Sequence, residues 1–312
     1  MRGVFYNSKK SLCSIWESGK MCYTALCNSK LFILDYSEEQ ILDTSYDFAI
    51  FNQHFTVNNW MTHNDILLFG KPTYCIVTEV SLDGNPVSAS PTFFSNYIVL
   101  DPTITETDNI HGFGRPLEDI NISNNIILSE SKPKIGSFGF ATGGKNWHKI
   151  VEAVQCEYDI ADIHFNIPHG THVPDYIHNQ HVNEIYNECL KIITKPGIQL
   201  KITHNNFSKT ELIKFCSENT INCFFYEREH MFSSGLSAVT DQAISSGRPL
   251  LVTKDKTFRH IHKYMDFYPN IDIKTAIETS TINVSKMKYD WSSKNFLLKF
   301  ETILIKTTHL HP

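Results

Sequence analysis

What this sequence of 312 residues lacks already removes several classes of protein. Its eight cysteines (Cys13, Cys22, Cys27, Cys75, Cys156, Cys189, Cys216 and Cys223) contain no C-x-x-C pair, so neither a redox motif nor a zinc ribbon is spelled out. Most of them stand among apolar neighbours, as buried thiols do, which suits a reducing cytoplasm. No apolar run approaches the ~20 residues of a membrane span. Met1 leads almost directly into the strand-like Val4-Phe5-Tyr6, where a signal peptide would need a longer apolar stretch. The expectation is a soluble, cytoplasmic protein, with peripheral membrane contact left open and the oligomeric state unread. No stripe of Lys or Arg occurs and the net charge is −5, which argues against nucleic acid as a partner. Histidines are dense from His164 through His169, His172 and His178 to His181, but their spacing is neither H-E-x-x-H nor another metal constellation, so no metal is expected.

What is present is globular: 41% hydrophobic and 20% charged residues, in a chain long enough for two domains. Apolar strands alternate with helical stretches, beginning with a strand over 3–6, a helix over 12–26 in which Gly19 is a weak spot, and strands over 31–34, 47–51, 72–78 and 97–100. Such alternation predicts a parallel sheet covered on both faces. The Asn/Ser-rich segment 119–134 reads as a linker around one short strand, which puts domain limits at 1–128 and 129–289. A second series follows, with strands over 134–140, 160–167, 199–203 and 222–226 and helices over 146–154 and 183–193. A further helix opens on the capping box Ser208 to Glu211 and runs to Asn219. Residues 290–312 form a last amphipathic helix, entered at Asp290-Trp-Ser-Ser, with Phe296, Phe300, Ile303 and Leu304 on its apolar stripe.

Two small-residue turns look built to meet an anion. In the first, residues 135–145 join a strand to a helix through Gly136, Gly139, Gly143 and Gly144, and Lys145 brings a positive charge to the helix start. In the second, Ser233-Ser-Gly-Leu-Ser237 opens a helix near Leu236, with serine N-caps and free amides at its start. Gly235 permits the tight backbone, Gly247 closes the helix, and Pro249-Leu-Leu-Val252 is a short buried strand. In the first domain His54 and Glu79 follow apolar strands and Glu17 follows the first strand, the sheet edge where ligands of open α/β sheets bind. The segment His111-Gly-Phe-Gly-Arg-Pro116 carries an anion-capable Arg115 but reads as a surface turn.

The pattern Ala243, Gly247, Pro249 and the apolar Leu250, Leu251 and Val252 resembles the donor-site signature of glycosyltransferases with the GT-B fold, in the form of the group 1, or family 4-like, C-terminal donor domain. That signature carries two acidic residues, and the matching positions here are Ser234 and Gln242. The 135–145 turn is similar to the opening of the second domain in that family, with Lys145 at the lysine and Phe140 at the usual arginine; Arg228, Lys254 and Arg259 stand as substitutes for the missing cation. Tyr289-Asp290-Trp291 resembles the entry to the terminal helix that crosses back to the first domain.

The resemblance implies two Rossmann-like domains with parallel sheets facing a cleft, and a transferase that moves a sugar from a nucleotide diphosphate sugar to an acceptor hydroxyl, as in surface glycan synthesis. Donor binding falls to Gly139, Gly143, Gly144, Lys145, Arg228, Ser233, Ser234, Gly235, Leu236, Ser237 and Gln242, and catalysis to His54, Glu79 or Glu17. No cofactor is implied beyond the nucleotide sugar itself. A nucleotide-sugar epimerase of the same fold, a viral DNA-base glycosyltransferase and a non-catalytic nucleotide- or sugar-binding protein remain alternatives.

Overall fold

Apolar runs such as Phe48-Ala-Ile-Phe and Tyr74-Cys-Ile-Val leave no polar face, so the strands they form have to be covered on both sides. The computed structural model, which describes residues 1–9, 14–54, 60–80, 93–118, 132–170, 173–227 and 235–309, meets that demand twice. Contacts divide the chain into two units. The first comprises Met1–Glu118, Phe232–Leu236 and Tyr289–Pro312, and the second Asp119–Met231 and Ser237–Lys288. The expected limit at 128/129, like the short strand expected in the linker, lies outside the described residues.

In the first unit β1 (Arg2–Tyr6), β2 (Ile33–Ser37), β3 (Phe48–Asn52), β4 (Thr73–Val77), β5 (Asn96–Val99) and β6 (Ile110–Gly112) form one parallel sheet in the order β2-β1-β3-β4-β5-β6. Strand side chains alternate between its two faces. Phe5, Phe48, Ile50, Tyr74, Ile76 and Ile98 pack on one side with α1 (Ser14–Leu26) and the terminal helix. Val4, Tyr6, Ala49, Phe51, Cys75, Val77 and Tyr97 pack on the other, with Phe69 from α2 (His63–Phe69). Gly19, which looks like a flaw in α1, is required there: a Cβ would collide with the side chains of Asn52 and Asn7.

The second unit is a five-stranded parallel sheet of β7 (Lys134–Phe138), β8 (Ile160–Asn166), β9 (Gly197–Thr203), β10 (Ile221–Phe224) and β11 (Leu250–Val252), in the order β11-β10-β7-β8-β9. The helices are α3 (Trp147–Glu157), α4 (Asp175–Ile192), α5 (Lys209–Ser217), α6 (Val239–Ser245), α7 (Arg259–His262) and α8 (Ile273–Asp290). The capping box is realised, since Ser208 accepts from the Glu211 amide and the Glu211 carboxylate accepts from the Ser208 amide. Helix α4 begins eight positions before the expected start, because its first half is polar and buries only His178 and Val182. Helix α8 has little apolar contrast in sequence, its buried face mixing Ile273, Ala276, Ser280, Val284 and Met287.

The terminal helix α9 (Ser293–His309) returns to the first unit, where Phe296, Phe300 and Leu304 are buried in the core of the first sheet. Phe300 meets Phe32 and Tyr74 at ring-centroid separations of 5.9 and 5.1 Å. Its entry is fixed by Trp291, which packs on Gly114 and accepts from the Leu117 amide at 2.8 Å.

Candidate functional site

Because β3 and β4 are adjacent and in register (Asn52 opposite Ile76), the residues just past their ends emerge side by side. His54 Nε2 lies 3.8 Å from Glu79 Oε2, with side-chain exposures of 11% and 30%. Gly235 lies against the same carboxylate: a Cβ placed on it would be 3.2 Å from Glu79 Cγ. Close approach, and not a left-handed backbone, is what asks for glycine here. Arg115 is buried, contrary to the surface turn expected for its segment, and its Nη1 donates to the Leu236 carbonyl at 3.3 Å. A buried guanidinium has to be met by acceptors, and this carbonyl on the 235–236 turn is one. Glu17 is exposed in the first turn of α1.

Sequence reasoning missed a buried amide network at the same strand ends. Asn52 Nδ2 donates to Asn7 Oδ1 at 2.7 Å and to the Ile15 carbonyl at 2.8 Å, while Asn7 Nδ2 donates to the Trp16 carbonyl and the Tyr36 hydroxyl. Burial first, and then the Glu38 carboxylate, push the Tyr36 phenol up to about 12, so it remains a donor to Glu38 at 2.8 Å. These bonds tie Asn7, just after β1, to the first turn of α1 and to the end of β3. The available signal was an asparagine closing each apolar strand run, Asn7 just after β1 and Asn52 as the last residue of β3.

In the second unit the glycine-rich turn follows β7. Gly139 has φ +140° and Gly144 φ +75°, backbone that only glycine adopts cheaply. Gly136 differs from expectation: the side chain of Asn219 fills the space a Cβ would need, so this glycine serves packing inside the sheet layer. Nothing lies within 4 Å of a Cβ built on Gly143. Lys145 is buried, turns back over the loop to donate to the Phe140 carbonyl at 2.8 Å, and sits 5.6 Å from the Tyr226 ring centroid. Phe140 itself is half exposed. Of the substitute cations, Lys254 lies 5.7 Å from the Phe267 ring centroid, Arg259 donates to the Lys256 carbonyl at 2.7 Å, and Arg228 falls outside the described residues.

The turn into α6 corrects one expectation. The helix starts at Val239, not near Leu236, and its N-cap, Ala238, makes no side-chain capping bond. Ser237 is held outside the helix, since its amide donates to the Thr257 carbonyl at 3.0 Å and its carbonyl accepts from Thr240 Oγ1 at 3.0 Å. The Ser237 amide is therefore not one of the free donors expected there. Ser233 and Ser234 lie outside the described residues. Gln242 is partly exposed on α6, while Asp241, which the family pattern did not single out, is buried beside it. Gly247 closes the helix in the left-handed conformation at φ +72°, as its position implied.

Of the histidine run, His169 and His178 pack ring to ring at 4.7 Å, with His204 5.9 Å from His178, and His169 Nε2 is 3.0 Å from Asp175 Oδ1. His172 falls outside the described residues. Among the described residues no group of three or more His, Cys, Asp or Glu is placed to hold a metal ion, and no helix is long and apolar enough to cross a membrane.

No protein-family model matches the sequence, and no curated protein is similar enough in sequence to count as a relative. Solved structures are similar in fold. HepE of Anabaena, in complex with UDP, superimposes with a TM-score of 0.60 at 9% identity, over 98% of this chain and all of that one. An alpha-glucosyltransferase, in complex with UDP and a 13-mer DNA containing an HMU base, gives 0.57 at 9% identity over 97% and 99%. Trehalose-6-phosphate synthase OtsA gives 0.57 at 9% identity over 96% of each chain. The fold is GT-B, the fold that these glycosyltransferases share.

Proposed function

We propose that this chain is a glycosyltransferase that moves a sugar from a nucleotide diphosphate sugar to an acceptor hydroxyl in glycan synthesis, with uridine diphosphate sugars the first donors to try. The observation that carries the reading is the meeting of His54, Glu79 and Gly235 in the first unit, which puts a proton-accepting pair against the turn that the sequence assigns to the donor. The fold shared with UDP-bound structures supports it. In this reading a neutral His54 or an ionised Glu79 takes the proton from the acceptor hydroxyl. The acceptor oxygen bonds to the anomeric carbon as the bond from that carbon to the β-phosphate oxygen breaks, and nucleoside diphosphate leaves. Its charge is met by Lys145 and by the backbone amides of Gly143 and Gly144 in the second unit, with Gln242 as a further donor contact. The reaction then needs no metal, and its place is the cytoplasm, where nucleotide sugars are found.

The test is a thermal-shift screen of nucleotide sugars followed by product analysis. A ligand at a hundred times its Kd adds about 2.7 kcal/mol to stability. A stabilising donor that is converted to nucleoside diphosphate and glycosylated acceptor, with turnover unchanged in EDTA, supports the reading. Interconversion of the sugar without release of nucleoside diphosphate assigns an epimerase instead, and stabilisation without turnover assigns a binding protein.

A further inference from the structure

Lys145 is bracketed by one residue. The amide of Glu227 donates to the carbonyl of Gly144, immediately before the lysine, at 2.8 Å. The carboxylate of the same Glu227 accepts from Asn146 Nδ2, immediately after the lysine, at 3.2 Å, and from Lys149 Nζ at 2.6 Å. Asn146 is the N-cap of α3, and Asn is among the best side chains for that place, yet it makes no capping bond. It adopts φ +48° instead and is the sole non-glycine residue with positive φ among the described residues. Asparagine is among the few non-glycine residues that take the left-handed conformation readily, and here its side chain goes to Glu227 in place of the helix start.

The result is a buried lysine flanked by two positive-φ residues, Gly144 before it and Asn146 after it. That backbone sends the Lys145 side chain back over Gly139, where an added Cβ would be 2.6 Å from Nζ, and onto the Phe140 carbonyl. We infer that Glu227 and Asn146 are positioning residues that aim Lys145 at the turn after β7. The inference rests on the proposed role of Lys145 toward a donor diphosphate. Glu227 is suited to the task because Lys149 holds its carboxyl below the usual range, so it is ionised at neutral pH.

The experiment has two arms. In the first, amine labelling of the whole protein, followed by mass spectrometry of peptides, compares Lys145 with Lys195 in the parent, Glu227→Gln, Asn146→Ala and Asn146→Gly. Buried Lys145 is protected in the parent. Its labelling rises about tenfold in Asn146→Ala and Glu227→Gln, and also in Asn146→Gly, which keeps the positive φ but lacks the bond to Glu227, while Lys195 stays constant. Unchanged labelling of Lys145 in folded variants overturns the assignment. In the second arm, calorimetry with UDP shows affinity reduced about tenfold in Asn146→Ala, with no further loss when that change is added to Lys145→Ala. Additive losses overturn it, because a residue acting through Lys145 has nothing left to position. If the parent binds no nucleotide the proposed function fails, and the labelling arm alone decides whether Glu227 and Asn146 aim Lys145.

Discussion

His54 and Glu79, each the outcome of a separate buried strand, stand 3.8 Å apart at the carboxyl edge of the first sheet. At that distance the two groups are within ion-pair range of each other but beyond hydrogen-bond contact. His54→Ala and Glu79→Gln are expected to keep folding and donor binding, and at least one lowers turnover by roughly 10²–10⁴, the usual loss for a general base. Steady-state rates with the converted donor check this. Near-parental rates in both variants place the base elsewhere, with Glu17 next to be tested.

Gly235 tests the same edge from the other side. Gly235→Ala puts a methyl 3.2 Å from Glu79 Cγ, so the carboxylate has to shift by a few tenths of an ångström. The expected outcome is turnover reduced by about tenfold or more with little change in the unfolding midpoint. Shortening the partner in Gly235→Ala/Glu79→Asp does not restore the parent's rate but makes the effect of the methyl smaller, and this is measured as the coupling in the double-mutant cycle.

At the glycine-rich turn, Lys145→Ala should weaken nucleoside diphosphate binding by about 1–3 kcal/mol, the range of a charge-assisted contact. Gly139→Ala should lose at least as much, since its methyl meets Lys145 Nζ at 2.6 Å and its φ of +140° is closed to alanine. Calorimetry decides, and unchanged affinity in both removes Lys145 from the site.

His164 gives stability a pH dependence. Burial, and then the charges of Lys134 and Lys201, lower its pKa from 6.5 to about 4 in the folded protein. The unfolded chain therefore binds the extra proton first. The contribution of His164 is fully present above about pH 6.5 and is lost as pH falls toward about 4. Full conversion of that gap gives about 3 kcal/mol, and because the ring keeps part of its solvent the expected loss is about 1–2 kcal/mol. His164→Gln, which still offers a partner to Thr203 Oγ1 (3.1 Å from His164 Nε2), should flatten the difference between urea midpoints at pH 7.5 and pH 5.

The terminal helix is structural. Phe300 is 1% exposed between Phe32 and Tyr74, and Phe300→Ala should cost about 3–5 kcal/mol in the unfolding of the first unit. Chemical denaturation monitored by the first unit's own fluorescence measures it, and a loss under 1 kcal/mol contradicts the packing described.

Much of the fold was written in local patterns. Apolar runs without a polar face required sheets covered on both sides, and the Phe296-Phe300-Ile303-Leu304 stripe required a helix with a buried face. Ser208 and Glu211 stated their capping box in four residues, and Gly247 its left-handed turn. Each signal acts between residues a few positions apart, so the chain fixes it without knowing its surroundings. What only the tertiary structure decided lies between residues far apart in sequence. Glycines of the same type were divided by their neighbours, Gly136 by Asn219, Gly19 by Asn7 and Asn52, and Gly235 by Glu79. Arg115 became buried on finding the Leu236 carbonyl, Ser237 was kept out of its helix by Thr257, and Asn146 gave up its cap for Glu227. In each case a polar group or a missing Cβ has several local uses of similar energy, and the long-range partner supplied by the folded sheet selects one of them.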